Sequence, residues 1–155
     1  MGAAVSVQID DPTRADILAL LEAHLTFVRA VTPRGSGHAL DVSLLCGPEI
    51  AFWSARRTNV PVGCVALRRF GETLGEVKSL HVRETHRGQG IAEALMAALE
   101  ATARDWALTE LRLETGSNAA FAPSRAVYRR LGFAPCAPWG DYVTDPFSYC
   151  MGKAV

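Results

Sequence analysis

The stretch that most limits what this chain can fold into is "GEVKSLHVRETHRGQGIAEALM", Gly75 to Met96. It begins as a strand that runs to about Val82. It ends in an apolar stripe of helical period, Ile91, Ala94, Leu95, Ala98 and Leu99, carried on by Thr102 to about Trp106. Between the two lies a short basic loop, Arg87-Gly88-Gln89-Gly90. A strand leading through such a loop into a helix is a coherent anion site. The first N–H groups of a helix have no internal partner and lie at the positive end of its dipole, and glycines let a ligand come close to the backbone. Glycines ahead of a helix also serve simply to make a turn, so the spacing by itself leaves both readings open. The stretch is not a Walker A loop. It is not a dinucleotide fingerprint either, because Glu93 stands where a third glycine is needed.

The same switching of period organises the rest of the chain. "AVSVQI", residues 4–9, alternates as a half-buried strand does. "DDPTRADILALLEAHLTFVRAV" then reads as a helix, with Asp11 to cap it, Pro12 at its first position, and Ile17, Leu21, Leu25 and Val28 on one face. Pro33 and "PRGSG" end it, and a short helical piece is expected from about Leu40 to Leu45. "EIAFWSA" and "VGCVALRRF" read as strands joined by a turn-like "RRTNVP". After the long helix come a strand in "ELRLET", a helix in "APSRAVYRRLGF" stopped by Gly132, and a last strand in "SYCMGKA". This order predicts one α/β domain over residues 1–155, a mixed sheet with helices on its faces.

Composition narrows the function classes. Hydrophobic residues make up 49% and charged residues 21% of the 155, a globular balance. Sixteen basic and sixteen acidic residues cancel, so no overall field favours nucleic acid or an anionic membrane, and any anion site is local. No apolar run suits a membrane span, and the N-terminus lacks the pattern of a signal peptide. The four cysteines form no CxxC pair, so no metal site is expected, and they are read as buried free thiols of a cytoplasmic protein.

"VRETHRGQGIAEALM" resembles the acetyl-CoA-binding signature of the GNAT superfamily of N-acetyltransferases, R/Q-x-x-G-x-G/A, with Arg87, Gly90 and Ala92 at its defined places. "YRRLGF", Tyr128 to Phe133, is similar to the end of that family's last helix, and the likeness extends along essentially the whole chain. "GCVAL", "FAPSRAVYRRLGF" and "GDYVTDPFS" resemble a bacterial subgroup of uncharacterised members. The resemblance implies a mixed, mostly antiparallel sheet of six to seven strands flanked by about four helices. It implies acetyl-CoA as cofactor, held at Arg87, Gly88, Gln89, Gly90, Ile91 and Ala92, with Leu80, His81 and Val82 meeting the pantetheine arm at a bulge, and with a homodimer as one assembly.

For the chemistry, the resemblance suggests Tyr128, which also meets the cofactor, as general acid and Glu76 as general base; His81 is a rival base, with a side chain that ordinarily titrates nearer neutrality. Regular alternation gives Leu80 and Val82 the face opposite His81, so only one set looks into the site. Packing roles stand beside these assignments: Tyr128 as part of a helix's inner face, Glu76 as an ion pair with Lys78. The family often carries an asparagine where this chain has Phe121, leaving Asn118 or Ser124 as substitutes. Arg34, His38, Trp53, Trp139 and Tyr142 are expected near the acceptor, a small-molecule amine. A protein or peptide acceptor and a non-catalytic acyl-CoA-binding sensor are the alternatives.

Overall fold

The computed structural model describes residues 4–31, 42–140 and 146–155. Its elements run β1 (Val5–Ile9), α1 (Ala15–Val31), β2 (Ile50–Arg57), β3 (Val60–Phe70), β4 (Leu74–Val82), α2 (Ile91–Asp105), β5 (Glu110–Gly116), α3 (Ala122–Arg130), β6 (Ala134–Pro135) and β7 (Ser148–Ala154). The strands form a seven-stranded sheet in the order β1-β2-β3-β4-β5-β7-β6. Every pairing is antiparallel except β4 with β5. The expected helix count of about four becomes three α-helices among the described residues. The piece foreseen near Leu40 to Leu45 is a single 3-10 turn over Val42–Leu45.

Helices cover both faces of the sheet. Ile17, Leu20 and Leu21 of α1 pack with Phe52, Cys64 and Ala66 on one face. Ile91, Leu95, Met96 and Leu99 of α2 pack on the other with Trp53, Val65, Leu67, Val77 and Leu111. The α2 stripe follows its sequence spacing at Ile91, Leu95 and Leu99, but Ala94, expected on it, is exposed and Met96 is buried instead, because the contact surface lies slightly round the helix from the predicted line. Helix α1 starts later than expected, because Asp11 accepts the N–H and hydroxyl of Thr13 and so closes a turn before the helix. The link between β2 and β3 tightens to Thr58-Asn59, with φ of 50° and 64°. Two successive left-handed residues make a hairpin of the kind that matches strand twist.

A buried ion cluster locks β1 and α1 to β2. The Arg56 guanidinium donates to Asp10 Oδ2 at 2.8 and 2.9 Å and to Asp16 Oδ2 at 2.7 Å, and Ser54 donates to Asp10 as well. The Arg56 and Asp10 side chains are each 2% exposed. Burial would raise the Asp10 carboxyl, but hydrogen bonds from Ser54 and Arg56 outweigh it and hold the group below its usual range.

The sheet is interrupted where a ligand would need it to be. Parallel pairing of β4 with β5 covers only Leu74–Glu76 against Glu110–Arg112, after which β5 continues with β7 alone. Among the described residues, strand β4 therefore has an open side beyond Glu76. Against β3, its register slips by one: Ala66 faces Lys78 but Cys64 faces His81, so Ser79 and Leu80 together oppose Val65. Ser79 takes a φ of 58°, the left-handed first residue that such a bulge requires.

Candidate functional site

The bulge changes which side chains look where. Residues directly opposed in an antiparallel pair share a face. Arg68, Ala66 and Cys64 stand opposite Glu76, Lys78 and His81, so those three β4 residues lie together on the α1 face. Unbroken alternation would have grouped Glu76 and Lys78 with Leu80 and Val82. Those two pack instead against the core under α2. The two base candidates thus occupy one surface.

The bulge also sets the backbone. Arg83 donates its N–H to Val62 at 2.8 Å, so the next opposed pair, Gly63 with Val82, is a non-hydrogen-bonded one. Its outward groups point away from β3, toward the open side. The Val82 carbonyl there accepts Arg87 Nε at 3.3 Å.

The glycine loop ends at Gly90, the N-cap of α2, with φ 79° and ψ 13°. Gly88 has a φ of 74°, and a Cβ at either glycine would meet nothing within 4 Å. Both glycines are therefore required by backbone conformation, and the space above them is open. The first helical bond runs from Ala94 N–H to the Gly90 carbonyl, which leaves the N–H groups of Ile91, Ala92 and Glu93 at the positive end of a 15-residue helix without a partner inside it. Arg87, Gly88, Gly90, Ile91 and Ala92 line one large cavity. Gln89 does not: its Oε1 accepts Arg57 Nη1 at 2.7 Å, which braces the loop against the end of β2.

That cavity, about 1290 Å³, runs from the loop along β4 to the α1 side of the sheet. It is lined by Leu80, His81, Val82, Tyr128, Glu76 and Lys78, among others. Tyr128 reaches it from α3, edge-on to Phe133 at 6.1 Å between centroids, and burial pushes its hydroxyl up to about 12. Its O–H stays protonated. Glu76, 2% exposed, accepts Lys78 Nζ at 2.7 Å on one oxygen and Trp139 Nε1 at 3.1 Å on the other.

His81 has a neighbour that sequence reasoning overlooked. His24, from α1, sets its Nδ1 3.3 Å from His81 Nδ1, with ring centroids 4.9 Å apart. One ring must donate and the other accept, so the pair holds together only while at least one ring is uncharged. Burial lowers His24 to about 4. Burial, His24 and the cations Arg87 and Arg83 lower His81 to about 3. A signal for His24 was present in the sequence, since it falls at helical spacing between Ile17, Leu21 and Val28 on the apolar stripe of α1.

At the place where relatives often carry asparagine, Phe121 is buried against Phe27, and no Cβ would fit at Gly116 beneath it. The nearby Asn118 lines the cavity. Its Nδ2 donates to the Val31 carbonyl at 2.6 Å, whereas its Oδ1 is buried without a hydrogen-bond partner among the described residues. A buried, unmatched acceptor beside a cavity suits a ligand amide N–H. Ser124 also lines the cavity.

On the acceptor side, Arg34, His38 and Tyr142 lie outside the described residues. Trp53 is not on this side at all. It is 3% exposed in the core under α2, because β2 is an interior strand buried on both faces. Trp139 is 6% exposed and backs the cavity through its bond to Glu76. The thiols also depart from expectation: Cys64 is buried, but Cys46 is exposed and Cys136 and Cys150 are half-buried. The outer edge of β7 is covered at Met151 and Gly152 by β6.

A parallel strand pair that splays beside a glycine-opened helix is the arrangement of an acyl-CoA-dependent transferase fold. The chain belongs to the acetyltransferase (GNAT) family, whose model matches residues 19–133. It is an N-acetyltransferase. It is 37% identical over 147 residues to an uncharacterised N-acetyltransferase of Bacillus subtilis, YsnE, covering 95% of this chain and 97% of that one. It is 36% identical over 151 residues to the IAA acetyltransferase of Azospirillum brasilense, covering 96% and 97%. The crystal structure of a Klebsiella pneumoniae protein assigned as an acyl-CoA N-acyltransferase superposes with a TM-score of 0.83 at 31% identity, covering 97% of each chain.

Proposed function

We propose that this protein moves the acetyl group of acetyl-CoA to the primary amine of a small molecule by direct attack on the thioester. The observation that carries this reading is the continuity of the cavity. It joins the N-terminus of α2 to the polar face of β4, with Tyr128 on its wall. The residues fit the cofactor. The free N–H groups of Ile91, Ala92 and Glu93 suit a pyrophosphate, and Asn118 Oδ1 offers an acceptor to a pantetheine amide. When bound, acetyl-CoA supplies an activated acyl thioester.

The side chains then have separable tasks. A new N–C bond forms as the C–S bond breaks, the amine loses a proton, and the sulfur gains one. The outward N–H of Val82 stabilises the oxygen that gains charge. Tyr128, protonated throughout the neutral range, donates to the departing sulfur. The amine's proton leaves toward the α1 face of β4. Glu76 takes it through water, using the lone pairs left over from Lys78 and Trp139. His81 is the second reading for this step, favoured by its place beside Val82. Against the expectation of a base that titrates near neutrality, burial first and then His24, Arg87 and Arg83 lower it to about 3, which leaves the ring uncharged but weakly basic.

The test is release of free thiol from acetyl-CoA against amino acids, polyamines, aminoglycosides and short peptides. Thiol release that depends on a small amine supports the reading. Release with peptides alone points to a protein acceptor. Tight CoA binding with no release from any acceptor points to a sensor module.

A further inference from the structure

The acceptor end of the cavity carries an uneven set of charges. On the wall made by β3 and β4, Arg68 stands directly opposite Glu76, and Lys78 follows on the same face. Two cations therefore stand beside one carboxylate. Both oxygens of that carboxylate are already engaged, by Lys78 and by Trp139. Arg68 makes no ion pair among the described residues. Its guanidinium lies over the Phe70 ring, 5.7 Å from the centroid, and both side chains line the cavity. An arginine laid on an aromatic face has its planar fork fixed in advance, the geometry that receives a carboxylate through two parallel hydrogen bonds.

Phe27, Val28, Leu44 and Phe147 add apolar surface to the lining of the cavity. A second acid, Glu114, lies on β5 across the splay and accepts Ser148 Oγ at 2.7 Å. Cations on the β3–β4 wall and an acid on β5 suit a molecule with both signs of charge and an apolar body.

We infer that the acceptor is an amino-carboxylate with an apolar or aromatic side chain, its carboxylate held by Arg68 with Lys78 beside it, and its amine turned toward the splay of β4 and β5. This rests on the acetyl-transfer reading above. The spacing is compatible: Lys78 lies three residues from His81, roughly 10 Å of strand, within reach of a lysine side chain and a small amino acid together. Pairing with Glu76 keeps Lys78 in place, so Arg68 is the cation left to discriminate.

The experiment compares matched acceptors in the thiol-release assay: L-phenylalanine against phenethylamine, and L-leucine against isoamylamine, with spermidine as an amine of another class. The expected result is a kcat/KM for each amino acid at least about tenfold above that of its decarboxylated partner. Arg68→Gln should raise the acceptor KM by a similar factor, and Arg68→Lys should recover part of the loss. Arg68 is exposed, so neither substitution threatens the fold. Equal or faster turnover of the decarboxylated amines, or of spermidine, overturns the carboxylate inference and leaves amine acetylation standing. An amino-acid preference unchanged in Arg68→Gln overturns the role of Arg68. No thiol release with any of the five acceptors counts against this inference and against the small-amine reading together.

Discussion

Acid should weaken this fold well before its carboxylates respond, and the histidine pair is the reason. An unfolded histidine takes up a proton near 6.5, whereas folded His24 resists to about 4 and His81 to about 3. Between those values the unfolded chain binds more protons, so stability is fully present above about pH 6.5 and falls as pH drops toward 4. Taken singly, each ring would lose about 2 kcal/mol between about pH 7 and pH 5. Both rings are half-buried and face the cavity, so water offsets part of this, and we expect a combined loss of about 2 kcal/mol. Asp10, held below its usual range by Ser54 and Arg56 in spite of burial, and Asp16, held there by its hydrogen bond from Arg56, add their own loss only below about pH 4. The two windows are therefore distinct. Urea unfolding at several pH values, for the wild type and for a His24→Gln/His81→Gln double variant, reads the effect as a shift in midpoint at constant slope. An unchanged midpoint between pH 7 and pH 5 refutes the reasoning. So does a double variant that keeps the acid slope of the wild type.

Gly90→Asp places a charge and a strained φ where the helix start opens, and calorimetry should show CoA affinity reduced at least about tenfold in a folded protein. Tyr128→Phe should lower kcat by about a hundredfold while leaving acetyl-CoA affinity within about threefold; equal losses in both would make Tyr128 a packing residue. Asp10→Ala leaves Arg56 buried with only part of its partners and should cost about 3 kcal/mol or more in urea unfolding. The double change Thr58→Asn/Asn59→Gly relieves a β-branched residue at a φ of 50° and should raise the stability by about 1 kcal/mol, measured the same way.

What could be read ahead of the structure was what depends on neighbours in sequence. Most of the α2 stripe, the glycine loop and the strand from Ser148 to Ala154 are set by local period and by backbone requirement, and they fall where the spacing puts them. The face assignment of β4 was not legible, because a bulge is an agreement between two strands and leaves no mark in either alone. Trp53 was misjudged for a related reason: β2 carries Phe52 and Trp53 in succession, both buried under different helices, so no alternation tells one face from the other. His24 was hidden by the habit of reading a stripe through its apolar members. The two-residue β6, with a proline as half of it, is too short to carry any pattern.

The bulge at Ser79 has a consequence for how this site tolerates insertions and deletions. It stores one residue of slack between two stretches of β4 that are each in regular step with β3. Deleting Ser79 would take up that slack without turning either stretch over. Glu76, Lys78 and His81 would keep their common face, and the contact of His81 with His24 would survive. Only the kink would go, and with it the bend of β4 beside its open side. A chain shortened by that one residue thus keeps every reactive side chain in position, and any activity it loses measures what the backbone alone contributes.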